Sequence, residues 1–428
     1  MNWLTGTTRQ TVAGRLSCGD LDEVAVPHIS LKALPLIDFE VRHIRIPFRF
    51  KYGHARKRHV GVDAIVCIAH DEEGRQGFGE AVPRTYVTGE TCDTVLAAIP
   101  HLLERTSVED ASPDSCRQQR RELVAAWKGG FPSCACCAID TSLVDLFARQ
   151  QGRSCAAWLG AESFEPLVYS ASIGMSKKTK LVATLLVYRV LGLKHFKVKV
   201  GGEEDIQRIR LIRQILGRNA NLFADANASW DRETAIRHIE ALQAQGVWAV
   251  EEPLRSPESK PASPEGFDRF ATLTDTHYEN YRWLRERSPL PLIADESLIC
   301  PRTAERIVAH RAFDILNIRL SKCGGPWLST EIVELARANR LRFAFGAMVG
   351  ETPILATAGA HFAALHRDHL YVQGFSHRLL HGRRFVRGEP PMRRGGQLGI
   401  DDLRHGLGLQ LDEAKMDALT IRRETFRL

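Results

Sequence analysis

Charged residues end five apolar segments of this chain at a nearly constant pitch. The segments are HFKVKV, NLFADAN, VWAVEEP, LPLIADES and FDILNIRLSK. Lys199 and Asp225 stand 26 positions apart, Asp225 and Glu251 again 26, and Asp295 and Lys322 27. Helical patterns fall between or after them, near 203–217, 231–245, 301–311 and 326–339. Strands alternating with helices imply a parallel sheet with covering helices. Eight such units close into a barrel, whose functional residues gather at the C-terminal ends of the strands. Side chains on a strand alternate with a period of two, so Lys197 and Lys199 share a face. A solvated edge strand would explain that one pair of lysines. It does not explain charges at the ends of five strands, and a barrel mouth does.

One interval breaks the pitch. Glu251 and Asp295 are 44 positions apart, and the excess falls in the Pro- and Ser-rich stretch RSPESKPASPEGFDRF. It reads as an insertion in one βα loop. Residues Arg255 to Leu290 are therefore expected to pack near the mouth and shape the substrate pocket.

The chain ahead of the barrel has a different organisation. Residues 1–35 show little periodicity and read as an extension. IDFEVRHIRIPF and VDAIVCIAHDEEG read as strands, and helical stretches follow near 91–106, 114–128 and 134–151, the last closed by Gly152. Strands followed by helices indicate a separate α+β domain over 36–165, with the barrel over 166–380.

Composition removes several classes of function. With 428 residues, 44% hydrophobic and 25% charged, the chain is ordinary globular material. Its net charge of +7 includes clusters at 51–58 and 383–394 without the aromatic interleaving of a single-strand binder, so no nucleic-acid partner is expected. The excess suits small anions instead. No run approaches ~20 apolar residues, so no membrane span is expected. The segment MNWLTGTTRQTVAGRL lacks a signal-peptide core, which makes a reducing cytoplasm the expected location. Ten cysteines in a chain this long are not a disulfide framework. Cys134, Cys136 and Cys137 in SCACCAID lack a second pair at zinc spacing and read as small helix residues packed on a neighbour.

Asp225, Glu251 and Asp295 would converge as three carboxylates, a self-repelling cluster if left unpaired. A hard divalent cation relieves this, and three carboxylates with room for water and a substrate oxygen suit magnesium. Lysines pairing with each carboxylate across the mouth would relieve it too. Asn227, on the same face as Asp225, reaches the site as a substrate or supporting group.

These residues resemble the enolase superfamily, in its muconate lactonizing subgroup. KVKVG is similar to that family's K-x-K strand, FADAN to its D-x-N strand, and VEEP and IADES to its other two metal-ligand strands. NIRLSKCGG resembles the segment carrying the opposing lysine. GFGEAVPR with YVTGET, FGAMVGETPI and GLGLQLDE match further positions, so the likeness spans residues 36 to 420. It implies an α/β fold, a modified TIM barrel (β/α)7β with an N-terminal α+β capping domain, to which residues 381–428 return. It implies Mg2+, or Mn2+, on Asp225, Glu251 and Asp295, with Glu252 and Glu296 in supporting places. Lys199 and Lys322 would flank the substrate carbon as acid and base, with Lys197 lowering the basicity of Lys199 and polarising the substrate carboxylate.

The chemistry so implied is removal of a proton α to a carboxylate through an enediolate. Its product would be a racemised or epimerised N-acyl amino acid or dipeptide-like substrate, made by an isomerase working as a homo-oligomer. The same scaffold supports cycloisomerases and dehydrating synthases, and a non-catalytic ligand-binding barrel is a third possibility. Dipeptide epimerases carry an Asp-x-Asp on the eighth strand, whereas this chain reads HLYVQGFSH there. Arg84 and His54, on loops expected to cap the site, and Glu351 in FGAMVGETPI are candidates for substrate contact. Arg319 is expected to be structural.

Overall fold

Burial divides the strands into two kinds, and the division separates the two sheets. In the computed structural model, residues 36–54, 57–106, 112–126, 130–255, 269–400 and 405–427 are described. The first sheet is antiparallel. Strands β1 (Leu36–His54), β2 (Lys57–Asp71) and β3 (Gln76–Ala81) form a meander, joined at the outer edge by the C-terminal strand β16 (Thr420–Arg427). Helices α1 (Cys92–Leu103), α2 (Pro113–Ala126) and α3 (Ser133–Gln150) follow. The small residues of α3, including Cys134, Cys136 and Cys137, are wholly buried. A Cβ on Gly79 of β3 would lie 1.9 Å from the Ala138 carbonyl oxygen. Strand and helix backbones therefore touch, which explains why both sequences are small-residue rich there.

The second sheet is parallel. After α4 (Cys155–Trp158) and β4 (Leu167–Val168), seven strands run in sequence order: β5 (Ser170–Ile173), β6 (His195–Lys199), β7 (Asn221–Asp225), β8 (Val250–Glu251), β9 (Leu292–Ala294), β10 (Ile315–Ile318) and β11 (Arg342–Phe345). The helices between them are α5 (Lys178–Val190), α6 (Asp205–Leu216), α7 (Arg232–Gln243), α8 (Arg269–Thr272), α9 (Asp275–Arg285), α10 (Pro301–His310), α11 (Leu320–Cys323) and α12 (Gly325–Ala338). Local signals set their starts. Asp231 caps α7 by accepting from the Thr234 amide at 2.8 Å, and Pro301 opens α10. Past β11 come α13 (Pro353–Leu365), α14 (His377–Leu380), the two-residue strands β12 (Val386–Arg387), β13 (Met392–Arg393), β14 (Gln397–Leu398) and β15 (Gln410–Leu411), and α15 (Glu413–Asp417).

The sheet closes through a segment too short to count as a strand. Val372 bridges Phe345 of β11 on one side and Tyr169, just before β5, on the other. The Ser170 amide donates to the Val372 oxygen at 2.8 Å, and the Gln373 amide to the Phe345 oxygen at 2.7 Å. The eighth stave is thus Leu370 to Gln373, and the fold is a modified (β/α)7β barrel with an antiparallel cap.

The long interval after Glu251 is only partly a loop. Helix α9 is the covering helix of that unit, and its Tyr278, Tyr281 and Leu284 are wholly buried. Residues 256–268, most of the Pro- and Ser-rich stretch, lie outside the described residues. The expectation that Arg255 to Leu290 packs near the mouth is corrected for α9, and for residues 256–268 it lies outside the described residues. An 11-residue amphipathic helix satisfies its own backbone and buries its apolar stripe as the other barrel helices do.

Candidate active site

The barrel floor decides which side chains reach the mouth. Phe223, Ala249, Ile293, Ile315, Ala344 and Tyr371 form one buried cluster, each from a different stave. Phe223 and Tyr371 stack with ring centroids 4.7 Å apart. The residues two positions further along point the same way. They are Asp225, Glu251, Asp295, Asn317, Gly346 and Gln373. Gly346 has no room for a side chain, since a Cβ there would stand 2.3 Å from Asn317 Oδ1. Lys199 pairs in register with Asp225, and Asp225 with Glu251. The three carboxylates are wholly buried on adjacent strand ends, as the sequence pitch requires.

Each carboxylate meets a cationic side chain. Lys197 Nζ lies 2.6 Å from Glu251 Oε1 and 2.7 Å from Asp225 Oδ2. Lys199 Nζ donates to Asp225 Oδ2 at 2.6 Å and to Asn227 Oδ1 at 2.8 Å. Arg319 Nη2 bonds Asp295 and lies 3.6 Å from Glu251. Lys322 Nζ donates to the Asp295 carbonyl at 2.6 Å, to Asp295 Oδ1 at 3.0 Å and to the Asn317 carbonyl at 3.0 Å. Among the described residues, no three His, Cys, Asp or Glu side chains stand together in metal-ligand geometry. The lysines and Arg319 take up the carboxylate oxygens instead.

Among the oxygens of Asp225, Glu251 and Asp295, one is left over. Glu251 Oε2 is buried without a hydrogen-bond partner. An anionic oxygen in that condition is costly unless a cation meets it. The donor set, three carboxylates with one free oxygen, therefore fits a hard divalent ion.

Burial and charge tune these groups in opposite directions. Burial works against charge on Asp225, yet Lys197 and Lys199 prevail and hold it well below the usual carboxylate range. Burial likewise opposes charge on Lys197, and Asp225 with Glu251 outweighs it, so its pKa rises. Lys322 goes the other way: burial brings it down to about 8. Burial, reinforced by Glu252 and Asp225, lifts Glu296 to about 7. The backbone is strained at the same place. Asn227, Ala228 and Glu252 have φ of 46°, 54° and 42°, left-handed values that non-glycine residues adopt at a cost.

Glu252 braces the turn after β8 against the turn after β9. It accepts from the Asp295 amide at 2.9 Å and the Ser297 amide at 3.3 Å, and from Tyr281 of α9 at 3.0 Å. Glu296 accepts from Asn227 Nδ2 at 3.3 Å.

A cavity of about 330 Å³ opens above these residues. Its wall includes Lys197, Lys199, Asn227, Glu296 and Arg319. Lys322 is fully buried and does not line it. No described residue of 269–290 lines it either. Arg84 ties loops together: its guanidinium donates to the Val349 carbonyl at 3.0 Å and the Asp63 carbonyl at 3.3 Å, outside the cavity wall. Glu351 accepts from the Met348 amide, and burial lifts it to about 8. His54 ends β1, and its side chain is outside the described set. Arg319 and Asn317 are the residues sequence reasoning undervalued. The period of two from Ile315 through Asn317 to Arg319 was the signal that would have found them.

Lysines and carboxylates from successive strands of one barrel thus meet at a single end of it. The profile of the family described as enolase C-terminal domain-like matches residues 180–265 and 271–415. The chain belongs to that family. It is similar to the L-Ala-D/L-Glu epimerase of Clostridium acetobutylicum, 26% identical over 343 residues, covering 77% of this chain and 87% of the relative. It is also similar to the N-succinyl-L-Arg/Lys racemase of Bacillus cereus, 24% identical over 328 residues, covering 75% and 81%. The crystal structure of a dipeptide epimerase from Cytophaga hutchinsonii, complexed with Mg and the dipeptide D-Ala-L-Val, superposes with a TM-score of 0.76 at 23% identity. That match covers 91% of this chain and 99% of the other, and it supports the barrel-and-cap fold. Among the described residues no helix is long and apolar enough to cross a membrane.

Proposed function

We propose that this chain is a racemase or epimerase that moves the proton α to a carboxylate in an N-acyl amino acid or dipeptide-like substrate. The observation that carries the reading is the placement of two lysines around the carboxylates. Lys199 is on β6 and Lys322 follows β10, four staves away in an eight-stave barrel. They therefore approach from opposite sides, with Asp225, Glu251 and Asp295 on the staves between.

Asp225, Glu251 and Asp295 would hold Mg2+, or Mn2+, using the free oxygen of Glu251. When bound, the ion supplies fixed positive charge for the substrate carboxylate as the α-carbon becomes electron-rich. The remaining work falls to the chain's own side chains. A neutral lysine amine takes the α-proton, and the C–H electron pair moves into the adjacent carboxyl group. The ammonium on the other side returns a proton to the opposite face, inverting the centre. Lys322, at about 8, has a basicity close to that of a useful base near neutral pH. Lys197, clamped between Asp225 and Glu251, keeps its charge and orients the substrate carboxylate. Asn227 and Glu296 complete the wall beside Lys199. A homo-oligomer acting on a small carboxylate in the cytoplasm, without nucleic acid, completes the proposal.

A cycloisomerase or dehydrating synthase needs only one proton-transferring lysine. The burial of Lys322 away from the cavity wall is the observation that favours this second reading. Incubating N-acyl amino acids and dipeptides in deuterated water with Mg2+ separates the possibilities. Deuterium at the α-carbon with inversion supports the racemase. Exchange without inversion supports the second reading, and no exchange in any compound overturns proton transfer.

A further inference from the structure

On the cavity side of the seam that closes the barrel, two polar groups have nothing to bond. Ser170 Oγ and Gln373 Nε2 are both buried and unpartnered, and their residues are 1% and 8% exposed. They are neighbours. Tyr169 bridges Val372, which sets the next residues, Ser170 and Gln373, across from one another in the same parallel register. Gln373 stands two positions after Tyr371 of the barrel floor, so it points inward in the layer of Asp225, Glu251 and Asp295. Both residues line the cavity. Buried donors are nearly always satisfied, and one that is not calls for a missing partner.

The surroundings say what kind of partner fits. Around this end the wall sets the apolar Ile173, Leu181, Phe375 and Met392 beside the cationic Lys180 and Arg378. Glu296 is the only carboxylate residue lining the cavity among the described residues, and it follows β9, four staves from β5. A substrate ammonium placed at the seam would meet an unpaired amide N–H and no anionic oxygen. A carbonyl oxygen would accept from Gln373 Nε2 and from the Ser170 hydroxyl.

We infer that Ser170 and Gln373 form an amide-oxygen notch that selects substrates with an uncharged acyl group on nitrogen over those with a free α-ammonium. The inference rests on the proposed α-proton chemistry and adds the substrate class to it. The reacting carbon sits between the lysines, and the acyl carbonyl reaches the notch. The next carbon, which bears the ammonium in an alanyl compound, lies beside N–H donors and the cations Lys180 and Arg378 with no anionic oxygen to pair it.

A matched pair of compounds tests this directly. Propionyl-X and alanyl-X differ only in the ammonium group, and X is varied over leucine, phenylalanine, glutamate, lysine and arginine. Two quantities are measured with Mg2+ present: α-deuterium exchange and binding by calorimetry. The notch predicts that propionyl compounds are favoured by about 10²-fold in kcat/KM and in affinity, the usual scale for leaving a buried polar group unpaired. Gln373→Leu should raise KM for the propionyl compound about tenfold or more with little change in kcat. Gln373→Glu, which replaces the donor with an acceptor of the same size, should shift preference toward the alanyl compound. Equal or better use of alanyl compounds by the unmodified protein overturns the notch, as does an unchanged KM in both Gln373→Leu and Ser170→Ala. Binding preference without exchange would keep the notch and overturn the reaction. Exchange without preference would keep the reaction and overturn the notch. Neither binding nor exchange of any propionyl compound overturns both.

Discussion

The two walls of the barrel mouth treat a lysine differently. On the β6–β7 wall, Lys199 is 8% exposed, lines the cavity and bonds Asp225 and Asn227. On the β9–β10 wall, Lys322 is fully buried, and two of its three acceptors are backbone carbonyls. Carbonyl dipoles hold an ammonium in place without neutralising it, and burial then brings the pKa down to about 8. One wall keeps its lysine accessible, and the other lowers the pKa of its lysine by burial. A two-sided proton transfer uses both properties.

The largest effect should come from removing what the walls share. Glu251 faces Lys197 and Arg319 and carries the unpartnered oxygen. Glu251→Gln, or chelation of divalent ions, should lower exchange of both enantiomers by about 10³-fold or more. Loss of exchange for one enantiomer only would contradict the shared-ion account. Calorimetric titration with Mg2+ should show binding to the unmodified protein and none to the variant.

Next in size is the brace on the Lys322 wall. Arg319→Met leaves Asp295 and Glu251 short of a buried cation, a change that costs about 3–5 kcal/mol. Denaturant unfolding should register it, and saturating Mg2+ should recover part of the loss. A midpoint unchanged in metal-free buffer would show that Arg319 contributes nothing to that wall.

The pH profile separates the walls by a smaller factor. A base must be neutral to accept a proton, and the neutral fraction grows as pH rises through its folded-state pKa. For the enantiomer deprotonated by Lys322, kcat/KM should rise about tenfold per unit below pH 8 and level off above it. A profile for both enantiomers that is flat from pH 6 to 9 would remove Lys322 as a titrating base.

Much of this was legible because a barrel repeats. The pitch from Lys199 through Asp225 to Glu251 reflects one strand, one helix and two short loops per unit, and apolar strands buried on both faces leave a clear signal. The closing stave was not legible, because Leu370 to Gln373 holds its place by a pair of bridges and reads in sequence as part of a loop. Helix α9 was hidden by its neighbourhood. Its apolar face begins only after the Pro- and Ser-rich stretch, and polar residues dominate DTHYENYRWLR. The pitch counts strand-end carboxylates and lysines and so assigns Arg319 only a structural part, while its place follows from the inward alternation of β10. The pitch makes Lys322 a strand-end residue, whereas it stands on the single helical turn α11, beyond the end of β10. That turn explains its burial, since it carries the lysine back under Asp295.

The central claim is that Lys199 and Lys322 serve opposite faces of one α-carbon. The direct measurement is α-deuterium exchange into each separate enantiomer by Lys199→Ala and by Lys322→Ala. Each variant should lose inversion and lower turnover by about 10²–10⁴-fold. Each should still exchange the proton of one enantiomer, and the two variants should retain opposite ones. If both variants exchange both enantiomers, or if Lys322→Ala inverts the centre as fast as the unmodified protein, the two walls do not share the reaction.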